Sequence, residues 1–144
     1  MKIRLPLPAL ICVLVALPVL PVRADEPETE LGEHMEKMSG PFRRLRRQAS
    51  DASKNANSLA QIAIIREHLE AALTLEPVMK EDIPAAKQAK FVADYKKKMR
   101  EMIELIGKVE AAIKANDNEK ALMLVGDVSK AQKQNHKNFK RKDK

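Results

Sequence analysis

The chain of 144 residues is poor in cysteine, glycine and aromatic residues. Its single cysteine, Cys12, lies in an apolar N-terminal segment that we interpret as a secretory signal, so we expect the mature protein to contain no cysteine. Such a protein has no disulfide, no thiolate zinc site and no catalytic cysteine. The four glycines are spaced too widely to form a phosphate-binding loop.

Aromatic residues are limited to three Phe and one Tyr, with no Trp. Nucleic-acid bases stack on aromatic side chains, so this composition argues against nucleic-acid binding even though the net charge is +7. The positive charge is concentrated near the C-terminus, where seven basic residues and one acidic residue follow from Lys130 onward. We expect most of this charge to lie on solvated helix faces, with attraction to acidic proteins or anionic lipid as the alternative.

The first 24 residues have the features of a secretory signal peptide. They combine a basic start, an apolar stretch from Leu10 to Leu20 and small residues around Ala24. The apolar stretch is short and contains proline, which disfavours a transmembrane helix. We therefore predict export and a mature chain that begins at Asp25, with residues 25–30 as a short leader. The remaining 144 − 24 = 120 residues are enough to bury one core.

Beyond residue 30, apolar residues recur at helical spacing and no segment alternates as a strand would. Connections at residues 50–57, 77–82 and 116–119 divide this region into four helical segments. The longest apolar seam lies in the third segment and repeats at intervals of three and four residues: Val92, Tyr95, Met99, Met102, Ile106, Val109 and Ile113. The pattern predicts an all-α, antiparallel, up-down-up-down four-helix bundle over residues 31–144.

Polar residues at the segment boundaries predict where the helices begin. Ser58 with Gln61 has the spacing of a capping box for the second helix. Asp82 is a candidate N-cap for the third helix, and Pro84 suits its first turn. Residues 116–119 provide a cap for the fourth helix. In the first helix, Gly40-Pro41 interrupts the apolar seam and predicts a bend there, because proline removes a main-chain hydrogen bond.

Met35 near the start of the first helix and His136 near the end of the last are separated by 136 − 35 = 101 positions. In an antiparallel four-helix bundle these two regions lie at the same end. Met35 belongs to an apolar seam, and His136 lies about 20° beyond the edge of the apolar face of its helix. A thioether and an imidazole in this arrangement suit the two axial positions of haem iron.

The segments Leu31-Gly-Glu-His-Met-Glu-Lys-Met38 and His136-Lys-Asn-Phe139, together with the signal peptide and the four-helix pattern, resemble the cytochrome b562 family. The resemblance covers residues 31–140. It implies a periplasmic electron-transfer protein that holds one b-type haem (iron-protoporphyrin IX) without covalent bonds. Met35 and His136 would be its axial ligands.

Apolar residues near these ligands are expected to wall the haem pocket: Met38, Phe42, Val125 and Phe139. Phe91 and Tyr95 are candidates for packing nearby. Since iron with two protein ligands has no open position for a substrate, we expect no enzymatic activity. Lys133, Lys137 and Lys140 are expected to offset propionate charge or to attract an acidic redox partner in the periplasm. We expect a monomer with no membrane span in its mature chain.

Two other functions remain open. The bundle is either free of haem and acts as a periplasmic binding or stress protein through its charged surface, or it binds Cu(I) through His34, Met35 and Met38. His34 points about 100° away from Met35 on the helix, toward the polar side, so the two side chains cannot face one iron. His68, midway along the second helix, is predicted to face the surface and to be structural.

Overall fold

A computed structural model describes residues 29–141. The predicted signal peptide and residues 25–28 of the predicted leader lie outside this range. The described chain contains four α-helices and no strand: α1 (Glu30–Gln48), α2 (Asn55–Thr74), α3 (Ala85–Lys114) and α4 (Asn118–Phe139). Short 3₁₀ helices, Ala52–Lys54 and Val78–Asp82, lie in the first two connections. Among the described residues, no helix combines the length and the apolar character needed to cross a membrane.

Consecutive helices pack against each other along the bundle, whereas α1 and α4 meet at few positions. At one end, the side chain of Asn118 donates to the carbonyl oxygen of Ala49 at 2.7 Å, and Asn55 donates to the carbonyl oxygen of Ile113 at 3.3 Å. At the other end, the Tyr95 hydroxyl donates to the carbonyl oxygen of Ala72 at 2.9 Å. Neighbouring helices are therefore antiparallel, which confirms the predicted four-helix bundle.

We call the two ends of the bundle the asparagine end, which contains Asn55 and Asn118, and the histidine end, which contains His34 and His136. The start of α1 and the end of α4 both lie at the histidine end.

The core follows the predicted apolar seams. Six of the seven seam residues of α3 are buried, and Val92, near the start of the helix, is partly buried. From the other helices, Leu45 is fully buried and Ile62 is 1% exposed. Each such side chain stabilises the fold by about 1.5–3 kcal/mol relative to an exposed one. The helical period alone thus identified most of the residues that form the core.

The predicted start of α2 is wrong. A 3₁₀ turn, capped where the Asp51 side chain accepts from the Ser53 amide at 2.9 Å, leads directly into α2 at Asn55. Ser58 is consequently an interior helical residue that is fully buried. Its Oγ and the Oε1 of Gln61 have no hydrogen-bond partner, so the two residues form no capping box.

The predicted cap of α3 is also wrong, because the carboxylate of Asp82 accepts from Nε of Arg141 at 2.7 Å instead. Pro84 occupies the N-cap position just before the first helical residue, and α3 has no side-chain cap. The prediction for α4 is confirmed, since Asp117 accepts from the backbone amide of Lys120 at 3.1 Å.

Pro41 does not end α1, which continues through it as one helix of 19 residues. On either side of the proline, Met38 and Phe42 are each 8% exposed and pack in the core. This burial offsets the loss of one main-chain hydrogen bond, which is why the helix tolerates the residue. The bend predicted at Gly40-Pro41 stays a prediction.

Candidate functional site

The beginning of α1 is fixed by its N-cap, which determines where Met35 lies. The Thr29 hydroxyl accepts from the backbone amide of Gly32 at 3.0 Å, and the acidic residues Glu30 and Glu33 lie in the first turn, where the helix dipole favours negative charge. Met35 follows one turn later, partly buried and packed against the core. Its thioether therefore belongs to the apolar side of α1 at the histidine end.

His136 lies in the last turn of α4 and is exposed, while its neighbour Asn135 is only 7% exposed. The helical-wheel estimate placed His136 at the border of the apolar face and did not identify Asn135 as an inward-facing residue. Enough protein surrounds the His136 ring to lower its pKa by desolvation, and the charge of Lys140 acts in the same direction. The lowered pKa favours the neutral imidazole, which is the form that binds a metal.

Three of the chain's four aromatic residues meet at the histidine end, between α3 and α4. The ring centroid of Phe139 lies 5.4 Å from that of Phe91 and 5.6 Å from that of Tyr95, which it meets edge-on. Tyr95 is 2% exposed, and burial raises its pKa from 10.0 to about 12. This cluster forms an apolar wall beside the last turn of α4, close in sequence to His136.

The two helices that carry Met35 and His136 are the least firmly joined pair of neighbours in the bundle. Within residues 29–141, no side-chain hydrogen bond or ion pair links a residue of α1 to a residue of α4. Their connection is the Asn118–Ala49 contact at the asparagine end, where Ala49 immediately follows α1. The only polar link between these two neighbouring helices in the described chain thus lies at the asparagine end, away from Met35 and His136.

The residues at this end fit a b-type haem by their chemistry. A neutral sulfur and a neutral imidazole nitrogen are a ligand pair that haem iron accepts, and here they come from neighbouring helices at one end of the bundle. Met38 and Phe42 on α1, with Phe139 on α4, supply apolar surface on the same two helices. Met35, Met38, Phe42, Phe139 and His136 therefore remain the candidate haem residues.

His34 and His68 form a pair that the sequence did not reveal. Their Nδ1 atoms are 3.0 Å apart and their ring centroids 5.2 Å apart, with the rings tilted by 51°. Both residues are partly buried, so the prediction that His68 faces the surface is wrong. In the described part of the chain, no group of three or more His, Cys, Asp or Glu residues is placed to hold a metal ion.

A shallow surface groove between α2 and α3 is separate from these residues. Arg66 forms an ion pair with Glu110 beside it, and Lys114 pairs with the same carboxylate at 2.6 Å. The hydrogen bond from Lys114 and the charge of Arg66 lower the pKa of Glu110. The groove is open to solvent, and it holds none of the candidate haem residues.

Comparison with known protein families gives a match. A family model described as cytochrome b562 matches residues 30–140, which is nearly all of the described chain. No curated protein and no solved structure matches the chain.

Proposed function

This chain belongs to the cytochrome b562 family, and we propose that it binds one b-type haem non-covalently through Met35 and His136 and transfers electrons in the periplasm. The observation that carries the proposal is the position of these two residues. Met35 lies in the second turn of α1 and His136 in the last turn of α4, both at the histidine end, on two neighbouring helices that meet at few positions. A cofactor inserted there disrupts less existing packing than it would between any other neighbouring pair.

The side chains of this end have distinct tasks in the proposal. Met35 would supply a soft, uncharged sulfur, a type of ligand that favours ferrous over ferric iron. His136 would supply an imidazole nitrogen, and burial, which lowers its pKa, favours the neutral form of that ring. Met38, Phe42 and Phe139 would exclude water from the bound haem. The bound haem would supply an iron that changes oxidation state by one electron.

Surface charge near His136 favours an acidic redox partner. Lys133, Lys137 and Lys140 are exposed and lie within four residues of His136. Such a group of positive charges steers the approach of an oppositely charged protein and raises the association rate at low ionic strength. We propose that electrons leave or enter the protein through this surface, that the protein is a monomer, and that it has no catalytic site.

The periplasmic location rests on the sequence of residues 1–24. A basic start, an apolar stretch and small residues before Asp25 are typical of an exported precursor. We propose that the functional protein is the chain that begins at Asp25.

A titration of the mature, haem-free protein with haemin tests the cofactor. We expect the haem absorbance to change until one haem is bound per chain and the melting temperature to rise with haemin concentration, because a ligand that binds only the folded state stabilises it. Serum albumin and an unrelated bundle of similar charge serve as binding and non-binding controls. A melting temperature that is independent of haemin contradicts the proposal and favours a haem-free binding or stress protein.

A further inference from the structure

The contact between His34 and His68 joins two helices through a pair of metal-binding side chains. The residues are 34 positions apart in sequence, yet their Nδ1 atoms are 3.0 Å apart across the α1–α2 interface. A hydrogen bond between two imidazoles requires Nδ1 of one ring to carry hydrogen and Nδ1 of the other to present a lone pair. Two nitrogens at this distance are also suitably spaced to share a metal ion.

We propose that His34 and His68 form a second metal site, which binds a divalent transition-metal ion such as Zn²⁺ or Cu²⁺ through both Nδ1 atoms. Metal–nitrogen bonds of about 2.0–2.1 Å place two ligating nitrogens about 2.9 Å apart at a right angle and about 3.3 Å apart at a tetrahedral angle. The observed separation of 3.0 Å lies within this range. A rotation of the rings that directs both lone pairs to one point completes the site.

The helix segments that carry the two histidines are packed in the core. On α1, Met38 lies one turn after His34 and is 8% exposed; on α2, Ile65 and Leu69 flank His68 and are each 3% exposed. Because α1 and α2 share an extensive packed interface, little backbone freedom is lost when a metal joins them. Two histidines on helices that are already packed together bind a metal more tightly than two free histidines do.

The ligand types indicate the class of metal. Imidazole nitrogen suits Zn²⁺, Cu²⁺ and Ni²⁺, whereas Mg²⁺ and Ca²⁺ prefer oxygen ligands. No third His, Cys, Asp or Glu joins the pair in the region from residue 29 to residue 141, so water fills the remaining coordination positions. Both rings are partly buried rather than enclosed, which leaves the ion accessible from solvent.

This site is separate from the proposed haem site and does not depend on it. Met35 follows His34 directly but points about 100° away around the helix axis. His34 meets α2, while the haem ligands were assigned to the seam between α1 and α4. Metal binding by the histidine pair is therefore tested independently of haem binding.

Calorimetric titration of the mature protein with Zn²⁺ tests the site, using the parent protein, His34→Asn, His68→Asn and the double variant. Asparagine keeps a polar atom near the Nδ1 position but is a much weaker metal ligand. We expect one zinc per parent protein and affinity weakened on the order of 100-fold by either substitution, since a chelate needs both anchored ligands. The double variant, which lacks both imidazole ligands, should bind zinc at least as weakly as either single variant.

Thermal unfolding in a chelator shows whether each variant folds, and electron paramagnetic resonance of the parent protein with Cu²⁺ gives evidence that needs no variant. Coupling of the copper to two equivalent imidazole nitrogens supports the site. Absence of saturable zinc binding in the parent protein, an unchanged affinity in His68→Asn, or copper coupled to one nitrogen would overturn it.

Discussion

The side-chain amide of Asn118 donates a hydrogen bond to the carbonyl oxygen of Ala49 at 2.7 Å, and this contact joins the start of α4 to the end of α1. The same amide donates to Oδ1 of Asn55 at 2.8 Å, and this bond connects Asn118 to the start of α2. One residue thus connects three helices at the asparagine end. The bundle is closed at this end by polar contacts, while α1 and α4 are left without such contacts at the end that carries Met35 and His136.

Replacement of Asn118 by alanine should destabilise the whole bundle. The substitution removes the donor to Ala49, a fully buried residue, and leaves its carbonyl oxygen without that partner. An unsatisfied buried acceptor costs about 1–3 kcal/mol, which we expect as the loss in the free energy of unfolding in urea. Asn138→Ala, in the same helix, is the control, because Asn138 is exposed and accepts only a 3.3 Å bond from Gln134. Equal losses in the two variants would contradict this role for Asn118.

The hydroxyl of Tyr95 should contribute to stability in a pH-dependent way. Tyr95→Phe removes the 2.9 Å hydrogen bond to the carbonyl of Ala72, with an expected loss of about 0.5–1.5 kcal/mol at neutral pH. Burial raises the pKa of Tyr95 from 10.0 to about 12 in the folded protein, so the unfolded chain releases this proton first. The parent protein should therefore lose stability relative to the variant as the pH rises from 10 toward 12. Unfolding curves at pH 8, 10 and 11 measure this, and a pH-independent difference would disprove the link to ionisation.

Ile106 should be among the most costly core positions to truncate. It lies at the middle of the α3 seam and is 1% exposed, so Ile106→Ala leaves a cavity that rigid neighbours fill only in part. Such changes cost about 2–5 kcal/mol. Leu122→Ala is the matched control, because Leu122 on α4 is 47% exposed and should change the melting temperature little. A large effect of the control would show that the exposed face of α4 is packed against something in solution.

The architecture could be predicted from the sequence because the buried positions of a helix recur every three or four residues. Apolar residues therefore recur at the same spacing along the chain. The α3 seam illustrates this: its residues repeat at three and four, and the face they define is the buried one. The same reasoning identified the apolar side of α1 despite Pro41. This reasoning needs only the spacing between nearby apolar residues, which is read directly from the sequence.

Features that depend on contacts between distant residues could not be predicted in this way. Asp82 was expected to cap α3, but its partner is Arg141, 59 positions away. His34 and His68 belong to different helices, and their contact depends on the rotation and register of α1 against α2. A helical wheel describes each helix alone and holds no information on either quantity.

The positions of the candidate haem ligands could be predicted only in part. The helical order predicted that Met35 and His136 lie at one end, and the structure has both there. The helical wheel places His136 near the border of the apolar face. At this border, an error of a few tens of degrees in the angle around the helix axis decides whether a residue is buried. At this border the structure buries Asn135 and exposes His136.

The visible absorption spectrum of the dithionite-reduced, haem-loaded protein tests the central proposal most directly when it is compared among Met35→Ala, His136→Ala and two controls. Met123→Ala is the control for methionine, since Met123 is 71% exposed, and His68→Asn is the control for histidine. We expect the parent protein and both controls to show the sharp bands of six-coordinate haem. Met35→Ala and His136→Ala should each lose these bands while they keep their helical content. Sharp, unchanged bands in Met35→Ala or in His136→Ala would contradict axial ligation by that residue.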